Sequence, residues 1–444
     1  MNICVIGCGY VGIVTGVVFS DLGNDVVCVD INQKRIETLQ AGRCPIYEPG
    51  LPELLERNSR DGRIKFSTST EMGVQSSEII FISVGTPPLE NGETDLSQVK
   101  VAATEIGKAI QGPKIVVNKS TVPVGTGDIV RKVIESVRKN RDPFQMVSNP
   151  EFLREGQAVW DTLHPDRIII GTSSSEAADR LCDLYRPLGR PFIITDIHSA
   201  EMIKYASNAF LATKISFINA VADLCEEVGG DVRDVAKGLG ADERIGPAFL
   251  GAGLGYGGSC FPKDVDSLLH ASIQIGTPFG LLKETTEKNA DRVPRFVRRI
   301  VDRLGDEGPK PLAGKKLSVL GLSFKAETDD MREAKSIEIC QLLREAGARI
   351  RAYDPIAIEN ARAILGEDGV DYFPSAYEAV READAAIIVT DWREFIQLNL
   401  RRLADSLSQP IIFDGRNIYS AEEVVAAGIE YHSIGRSTVV PTKI

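Results

Sequence analysis

The sequence predicts an α/β chain: two doubly wound parallel-sheet domains joined by a central all-α segment with one long helix. Three observations carry this reading. A strand–helix–strand unit opens the chain, a second unit of the same plan begins after a linker, and a stretch of about thirty residues between them keeps helical spacing without a turn signal. The chain has 444 residues, and a prior of roughly 150 residues per domain allows about three domains. The expected boundaries are 1–198, 199–304 and 314–444.

The elements follow in order. Residues 2–6 form an apolar run that ends at Gly7, a helical pattern continues to Leu22, and Gly23-Asn24 stops it. A second run, Val26 to Val29, ends at Asp30. Further strand-like runs at Glu78–Val84, Lys114–Asn118 and Arg167–Ile170 extend one parallel sheet to residue 195. From Ser199 to Val228, Ile203, Ala206, Phe210, Ile218, Ala222 and Cys225 recur near helical spacing. At 1.5 Å per residue such a helix is about 45 Å long, enough to span one domain and join two others. Gly251–Asp264 then breaks every pattern, with five glycines before its cysteine. After the Gly/Pro/Lys-rich linker Gly305–Lys316, a strand (Leu317–Leu320) ends in Gly321, a helix covers Ser336–Ala346, and a strand (Arg349–Tyr353) ends at Asp354. Ala385–Val389 and Ile411–Phe413 belong to the same sheet. Both sheets are thus Rossmann-like. The second lacks GxGxxG and is expected to hold something other than the pyrophosphate of a dinucleotide.

Composition removes several classes of function. A net charge of −11 argues against a phosphate-tracking surface, so neither nucleic acid nor membrane is an expected partner. The eight cysteines are scattered, none forms a CxxC pair, and with four histidines no metal site is expected. The chain opens directly on the strand MNICVIG, and no segment approaches the ~18 apolar residues of a membrane span. The expected location is cytoplasmic.

Two motifs carry the chemistry. Gly7, Gly9 and Gly12, with Cys8, Tyr10 and Val11 between them, form a GxGxxG that follows a strand, opens a helix and lies 18 residues before Asp30. Such glycines permit the tight turn and bring backbone N–H groups to a pyrophosphate at the helix N-terminus. Asp30 then accepts from the ribose hydroxyls and favours NAD over NADP, a preference that Lys34 and Arg35 temper. The loops Ser83–Pro87, with Gly85 and Thr86, and Ser120–Pro123, with Thr121, follow strands and read either as ligand-facing loops or as plain turns. A dehydrogenase of small alcohols usually uses a histidine or a metal-bound water as base. Here His164, His198, His270 and His432 form no constellation, which leaves Cys260 in Gly257-Gly258-Ser259-Cys260-Phe261-Pro262-Lys263-Asp264. A thiolate is favoured near cations, and Lys263 follows at once. Cys4 and Cys28, in strands, read as small buried apolar residues. Asn149–Gly156 is either a helix start with acids in its first turn or a site. Lys204 and Asn208 are four apart on one helical face, either solvated or facing a site.

Four blocks together, ADERIGPAFLGAGLGYGGSCFPKD at Ala241–Asp264, SNPEFLREG at Ser148–Gly156, GLSFKAETDDMREA at Gly321–Ala334 and FDGRN at Phe413–Asn417, resemble the UDP-glucose/GDP-mannose dehydrogenase family. The resemblance covers essentially the whole chain. It implies a four-electron oxidation of UDP-glucose at C6 with two NAD used in turn, through a thiohemiacetal and then a thioester on Cys260. By the same resemblance Lys204 stabilises oxyanions, Asp264 and Glu151 handle protons and the hydrolytic water, and Thr121 and Asn208 are their hydrogen-bonding partners. Gly85, Thr86, Thr121, Glu155, Lys263 and Arg332 line the NAD side. The UDP-sugar side takes Glu151, Phe152, Leu153, Arg154, Glu155, Lys204 and Asn208. It also takes Phe249, Leu250, Gly251, Ala252, Gly253, Gly257 and, from the C-terminal domain, Lys325. Arg244 resembles an arginine supplied across a homodimer interface, which implies a dimer or higher oligomer packed through the long helix. Gly85 departs from a frequent Asn and Tyr256 from a frequent Phe. Other readings are a relative acting on GDP-mannose or a UDP-N-acetylhexosamine, a two-electron dehydrogenase of the 6-phosphogluconate type, and a non-catalytic NAD or nucleotide-sugar sensor. The last two have no use for a cysteine in the glycine-rich loop.

Overall fold

The computed structural model describes residues 1–441; the end of the expected third domain, 442–444, lies outside the described residues. The chain divides into two compact units, one made of Met1–Ser207 and Asp266–Gly276, the other of Asn208–Val265 and the chain from Thr277 on. The expected central segment is therefore shared between the two. The long helix runs Ile197–Val228, 32 residues, with the division falling inside it.

The first unit holds an eight-stranded sheet: β1 (Asn2–Ile6), β2 (Asp25–Val29), β3 (Ile64–Ser67), β4 (Ile79–Ile82), β5 (Lys114–Asn118), β6 (Phe144–Ser148), β7 (Ile168–Gly171) and β8 (Phe192–Thr195), in the order β3-β2-β1-β4-β5-β6-β7-β8. Alternate residues of β1 face opposite layers. Ile3 and Val5 pack with Phe19, Cys28 and Phe81 on one face, Cys4 and Ile6 with Ile80, Ile82 and Val116 on the other. A sheet covered on both faces needs such near-continuous apolar strands. Cys4 and Cys28 are fully buried there, as their strand positions imply.

The expected doubly wound parallel sheet is present, with one local exception at β7. β7 meets β6 antiparallel at a single pairing, Ser148 with Gly171, and β8 then follows β7 in parallel. A parallel step needs a crossover over the face of the sheet. The connection after Ser148 holds only the six-residue helix Ala158–Leu163 and the segment carrying Glu151, so no such crossover forms. Strands β3, β6 and β8 are short runs that the sequence pattern does not isolate.

The second unit holds a six-stranded, all-parallel sheet: β9 (Lys316–Leu320), β10 (Arg349–Tyr353), β11 (Val370–Tyr372), β12 (Ala385–Ile388), β13 (Ile411–Asp414) and β14 (Glu430–Ser433), in the order β11-β10-β9-β12-β13-β14. This repeats the order of the first six strands of the other sheet. The repeat extends to the turn after the first strand. Gly7 (φ 97°) donates its N–H to Val29 O at 2.7 Å, and Gly321 (φ 96°) donates to Tyr353 O at 2.9 Å. A Cβ would lie 2.6 Å from Ser83 O at Gly7 and 2.5 Å from Thr390 Cβ at Gly321. Glycine is thus demanded twice, by backbone conformation and by close approach.

The acids that end β2 and β10 differ in use. Asp354 is fully buried and accepts from the N–H groups of Leu322 (2.7 Å), Ser323 (3.2 Å), Ile356 (3.0 Å) and Ala357 (2.9 Å), the Ser323 hydroxyl (3.2 Å) and the Trp392 indole (3.2 Å). Its hydrogen-bonding capacity is consumed inside the fold, in keeping with a sheet that lacks the dinucleotide fingerprint. We expect Asp354→Ala to destabilise the protein by about 3 kcal/mol or more, because it strands several buried donors at once; urea unfolding measures this, and a loss below about 1 kcal/mol contradicts it.

Candidate active site

In the first unit the glycine turn meets the requirements of a dinucleotide. Gly9 precedes the helix Tyr10–Asp21 without any side-chain cap. A Cβ at Gly12 would sit 1.8 Å from Gly7 O, whereas one at Gly9 would meet nothing within 4 Å. Gly7 and Gly12 therefore serve the turn, and Gly9 leaves open space where an anion can approach the helix N-terminus. Asp30, at the end of β2, accepts from Cys8 N–H (2.8 Å) and Asn32 N–H (2.8 Å) and pairs with Arg35 at 3.1 Å. A carboxylate accepts about four hydrogen bonds, which leaves capacity for a ribose hydroxyl. These residues fit NAD.

The loops after β4 and β5 are tied together. Thr86 donates its hydroxyl to Thr121 O at 2.9 Å and Ser120 to Val84 O at 2.8 Å. Both thus stand at the carboxyl end of the sheet, where ligands of this topology bind. An added Cβ at Gly85 would face only the Gln98 side chain, at 3.5 Å.

The segment after β6 carries a buried charge cluster. Glu151 pairs with Lys204 at 3.1 Å and accepts from Leu153 N–H at 2.6 Å. Burial alone would raise the Glu151 carboxyl, but Lys204, the Leu153 amide and Lys119 outweigh it and hold the group below the usual range. Phe152 lies under two cations, with Arg167 at 4.0 Å and Lys204 at 5.2 Å from its ring centre. Arg154 is exposed and pairs with Asp161 at 2.7 Å. Tyr10 points to this segment and not along the turn: its hydroxyl donates to Glu48 and accepts from Gly156 N–H at 2.8 Å. Glu48 also accepts from Gly156 N–H at 2.7 Å and Val159 N–H at 3.3 Å. One turn before Lys204 on the long helix, Glu201 accepts from Gly125 N–H (2.6 Å) and Gly127 N–H (2.8 Å) at the start of the helix Thr126–Val137. Burial pushes this carboxyl up to about 7, while the two amides pull against it.

In the second unit, Cys260 immediately precedes the helix Phe261–Gln274, and its carbonyl accepts from Asp264 N–H at 2.9 Å. Its sulfur therefore stands at a helix N-terminus, where the macrodipole favours a negative charge. Ser259 Oγ lies 3.6 Å from the Cys260 Sγ. Asp264 is buried, accepts from the Asn208 amide at 2.6 Å and pairs with Lys263. The glycines before the cysteine belong largely to the protein's own packing. A Cβ would come within 2.8 Å of Gly415 O at Gly253, 2.3 Å of Asn289 Oδ1 at Gly255, 2.1 Å of Glu333 O at Gly257 and 2.6 Å of the Phe324 ring at Gly258. Only Gly251 of the five faces open space. The other four are thus required by the packing of the second unit itself. Leu250 and Ala252 are buried, and Phe249 adopts a left-handed φ of 64°. The Lys325 ammonium lies 5.5 Å from the Phe324 ring centre. Arg332 is held by Asp330 at 2.7 Å, and Arg244 is exposed and held by Asp242 at 2.6 Å.

Sequence reasoning missed Lys119, Glu48, Glu201 and Arg416. Arg416 donates to Val389 O (2.6 Å) and Phe324 O (3.2 Å), which ties the segment after β13 to the one after β9. Its signal was the FDGRN block. Lys119 signals itself only by following β5 directly.

A dinucleotide turn on one sheet, a cysteine at a helix N-terminus and a second sheet whose acid is spent internally define a nicotinamide-dependent oxidoreductase with a separate substrate-binding sheet. Three domain models match the chain: the NAD binding domain of the UDP-glucose/GDP-mannose dehydrogenase family at residues 1–189, its central domain at 198–291 and its UDP binding domain at 318–421. The chain belongs to this family and is an NAD-dependent dehydrogenase. It is 48% identical over 442 residues to the UDP-glucose 6-dehydrogenase TuaD of Bacillus subtilis, covering 100% of this chain and 95% of that protein. Among solved structures it is similar to a UDP-glucose dehydrogenase from Pyrobaculum islandicum (TM-score 0.90, 39% identity, 98% of each chain) and to a UDP-D-ManNAc dehydrogenase from Pyrococcus horikoshii (TM-score 0.86, 28% identity, 98% of this chain and 99% of that one). No helix among the described residues is long and apolar enough to cross a membrane.

Glu201 gives a pH prediction. Its folded pKa of about 7 lies above its ordinary 4.5, so its contribution to stability is complete below the ordinary value and is lost as pH rises through the folded one. Unfolding free energy measured in urea should therefore fall between about pH 5 and 7.5 more steeply in the wild type than in Glu201→Gln. Parallel curves would refute the assignment.

Proposed function

We propose that this chain oxidises the C6 alcohol of UDP-glucose to the carboxylate, reducing two NAD per sugar, with Cys260 as the covalent nucleophile. The observation that carries the reading is Cys260 at the N-terminus of its helix, with the buried Asp264 one turn on, held between Asn208 and Lys263. The reading takes residues 1–198 as NAD-binding, 199–304 as central and 314–444 as UDP-sugar-binding.

When bound, NAD accepts a hydride from C6 in each of two oxidations. In the first, a carboxylate takes the hydroxyl proton as the aldehyde forms. The Cys260 thiolate then adds to the aldehyde carbon, giving a thiohemiacetal whose oxyanion Lys204 stabilises. The second oxidation leaves a thioester. Water adds to it, the C–S bond breaks, and the carboxylate leaves with the thiolate restored. The covalent bond retains the aldehyde between the two steps. Asp264 and Glu151 share the proton transfers, with Asn208 and Thr121 as their hydrogen-bonding partners. Phe152, Leu153, Arg154, Phe249 to Gly253, Gly257 and Lys325 serve the UDP-sugar, and Gly85, Thr86, Glu155, Lys263 and Arg332 serve NAD. UDP-glucose is favoured over other sugars by the 48% identity with an enzyme named for it, against 28% with one named for UDP-D-ManNAc.

A homodimer through the long helix completes the reading, with Arg244 reaching the second copy. Its support is an apolar stripe on that helix: Phe210, Phe217, Leu224 and Val228 are 65%, 53%, 65% and 79% exposed. Surface this apolar on one face calls for a partner. Phe217→Glu should convert a dimer to a monomer by light scattering; a wild-type monomer ends this part of the proposal.

A panel of nucleotide sugars tests the substrate. Two NADH per UDP-glucose are expected, with little from GDP-mannose or UDP-N-acetylhexosamines. Cys260→Ser should bind NAD and UDP-glucose almost unchanged while release of the acid falls by roughly a thousandfold or more; full turnover by that variant removes the covalent step.

A further inference from the structure

Behind the Glu151–Lys204 pair lies a second ammonium that the reaction above does not use. Lys119 is the first residue beyond β5, and Asn149 the first beyond the neighbouring β6, whose last residues Asn118 and Ser148 pair in the sheet. The Lys119 side chain is buried, and its ammonium donates to Asn149 Oδ1 (3.2 Å), Asn149 O (3.5 Å) and the Tyr185 hydroxyl oxygen (3.4 Å). All three acceptors are neutral, and no carboxylate lies within ion-pair distance of Lys119 among the described residues. Asn149 is fixed from other sides as well: its amide donates to Ile169 O at 2.7 Å, its oxygen accepts from the Tyr185 hydroxyl at 2.5 Å, and its N–H donates to Asn118 O at 2.9 Å. Two residues on stands Glu151.

A buried ammonium bonded only to neutral groups is costly. Its retention here needs a compensating charge, and Glu151 is the carboxylate whose field reaches it. Glu151 thus feels two ammoniums, Lys204 and Lys119. In the ground state Lys204 alone could keep Glu151 ionised. Once Lys204 turns to an oxyanion on the substrate, Glu151 keeps the neutral Leu153 amide but loses its directly paired cation inside a low-dielectric site.

We propose that Lys119 is a positioning residue that keeps Glu151 anionic and in place while Lys204 is engaged with the substrate. The inference rests on the roles given above to Glu151 and Lys204. The titratable groups facing Lys119 are Tyr185 from the helix Ser175–Tyr185, Glu151 from the segment after β6 and Lys204 from the long helix. Burial pushes Lys119 down to about 8, with Glu151 raising and Lys204 lowering it, so the ammonium is charged over the neutral range. Burial also keeps the Tyr185 phenol protonated and uncharged there.

The test is the pH dependence of kcat for UDP-glucose oxidation by the full chain. Removing the charge in Lys119→Met should move the acid limb, where Glu151 must ionise, upward by about one pH unit. Lys119→Arg, which keeps the charge, should leave that limb near its wild-type position. A merely structural role would lower kcat at every pH and leave the limb unmoved. An unmoved limb in Lys119→Met, or equal displacement in both variants, overturns the proposal. If Lys119→Met does not fold, Lys119→Gln takes its place with the same expected shift. Glu151→Gln, measured in parallel, separates the two layers: full turnover by that variant would sink the role of Glu151 itself, whereas lost turnover with an unmoved limb in Lys119→Met would sink Lys119 alone.

Discussion

The buried ion pair between Lys204 and Glu151 is the contact around which the polar interior of the first unit is arranged. Both side chains are almost wholly buried, and the pair joins the long helix to the segment that leaves β6. Breaking such a pair from one side costs about 3–5 kcal/mol, because the remaining charge is stranded out of water. The same property keeps Glu151 ionised although it is buried, since the neighbouring cations outweigh the loss of solvent. The surrounding bonds serve to hold this pair. Leu153 N–H fixes one oxygen of Glu151, Phe152 lies against the Lys204 ammonium, and Glu201 anchors the same helix a turn earlier to the amides of Gly125 and Gly127.

The two sheets are one topological solution used twice. Each has a first strand ending in a left-handed glycine, and each has an acid at the end of the second strand. In the first sheet that acid takes two amides and an arginine and retains capacity for a ligand. In the second it takes six donors from the protein. Fold alone does not assign a ligand to either. The difference lies in whether the hydrogen-bonding capacity of one carboxylate is left open or consumed.

The glycine-rich run before Cys260 shows how a motif can be right for a different reason. Its pattern singles out Cys260, yet four of its five glycines are required because another part of the second unit occupies the space a Cβ would fill. Gly258, for instance, lies against the Phe324 ring, and Gly255 against the Asn289 amide. The run therefore holds the cysteine loop against its own unit as much as it admits a substrate.

What the sequence by itself determined was local: the GxGxxG turn with Asp30, the long helical run, the internal echo at Gly321 and Asp354, and Cys260 in its loop. Each is a short-range pattern, set by backbone conformation and side-chain periodicity, and each can be read along the chain. The reversal at β7 and the short strands β3, β6 and β8 were decided by tertiary packing, since they depend on which neighbour is available to pair. So were Lys119, Glu48 and Glu201. A lysine after a strand or a glutamate in a loop looks like any solvated charge. It acquires a function only when distant segments close over it and water is removed, because loss of solvent is what makes its partners, and its proton, matter.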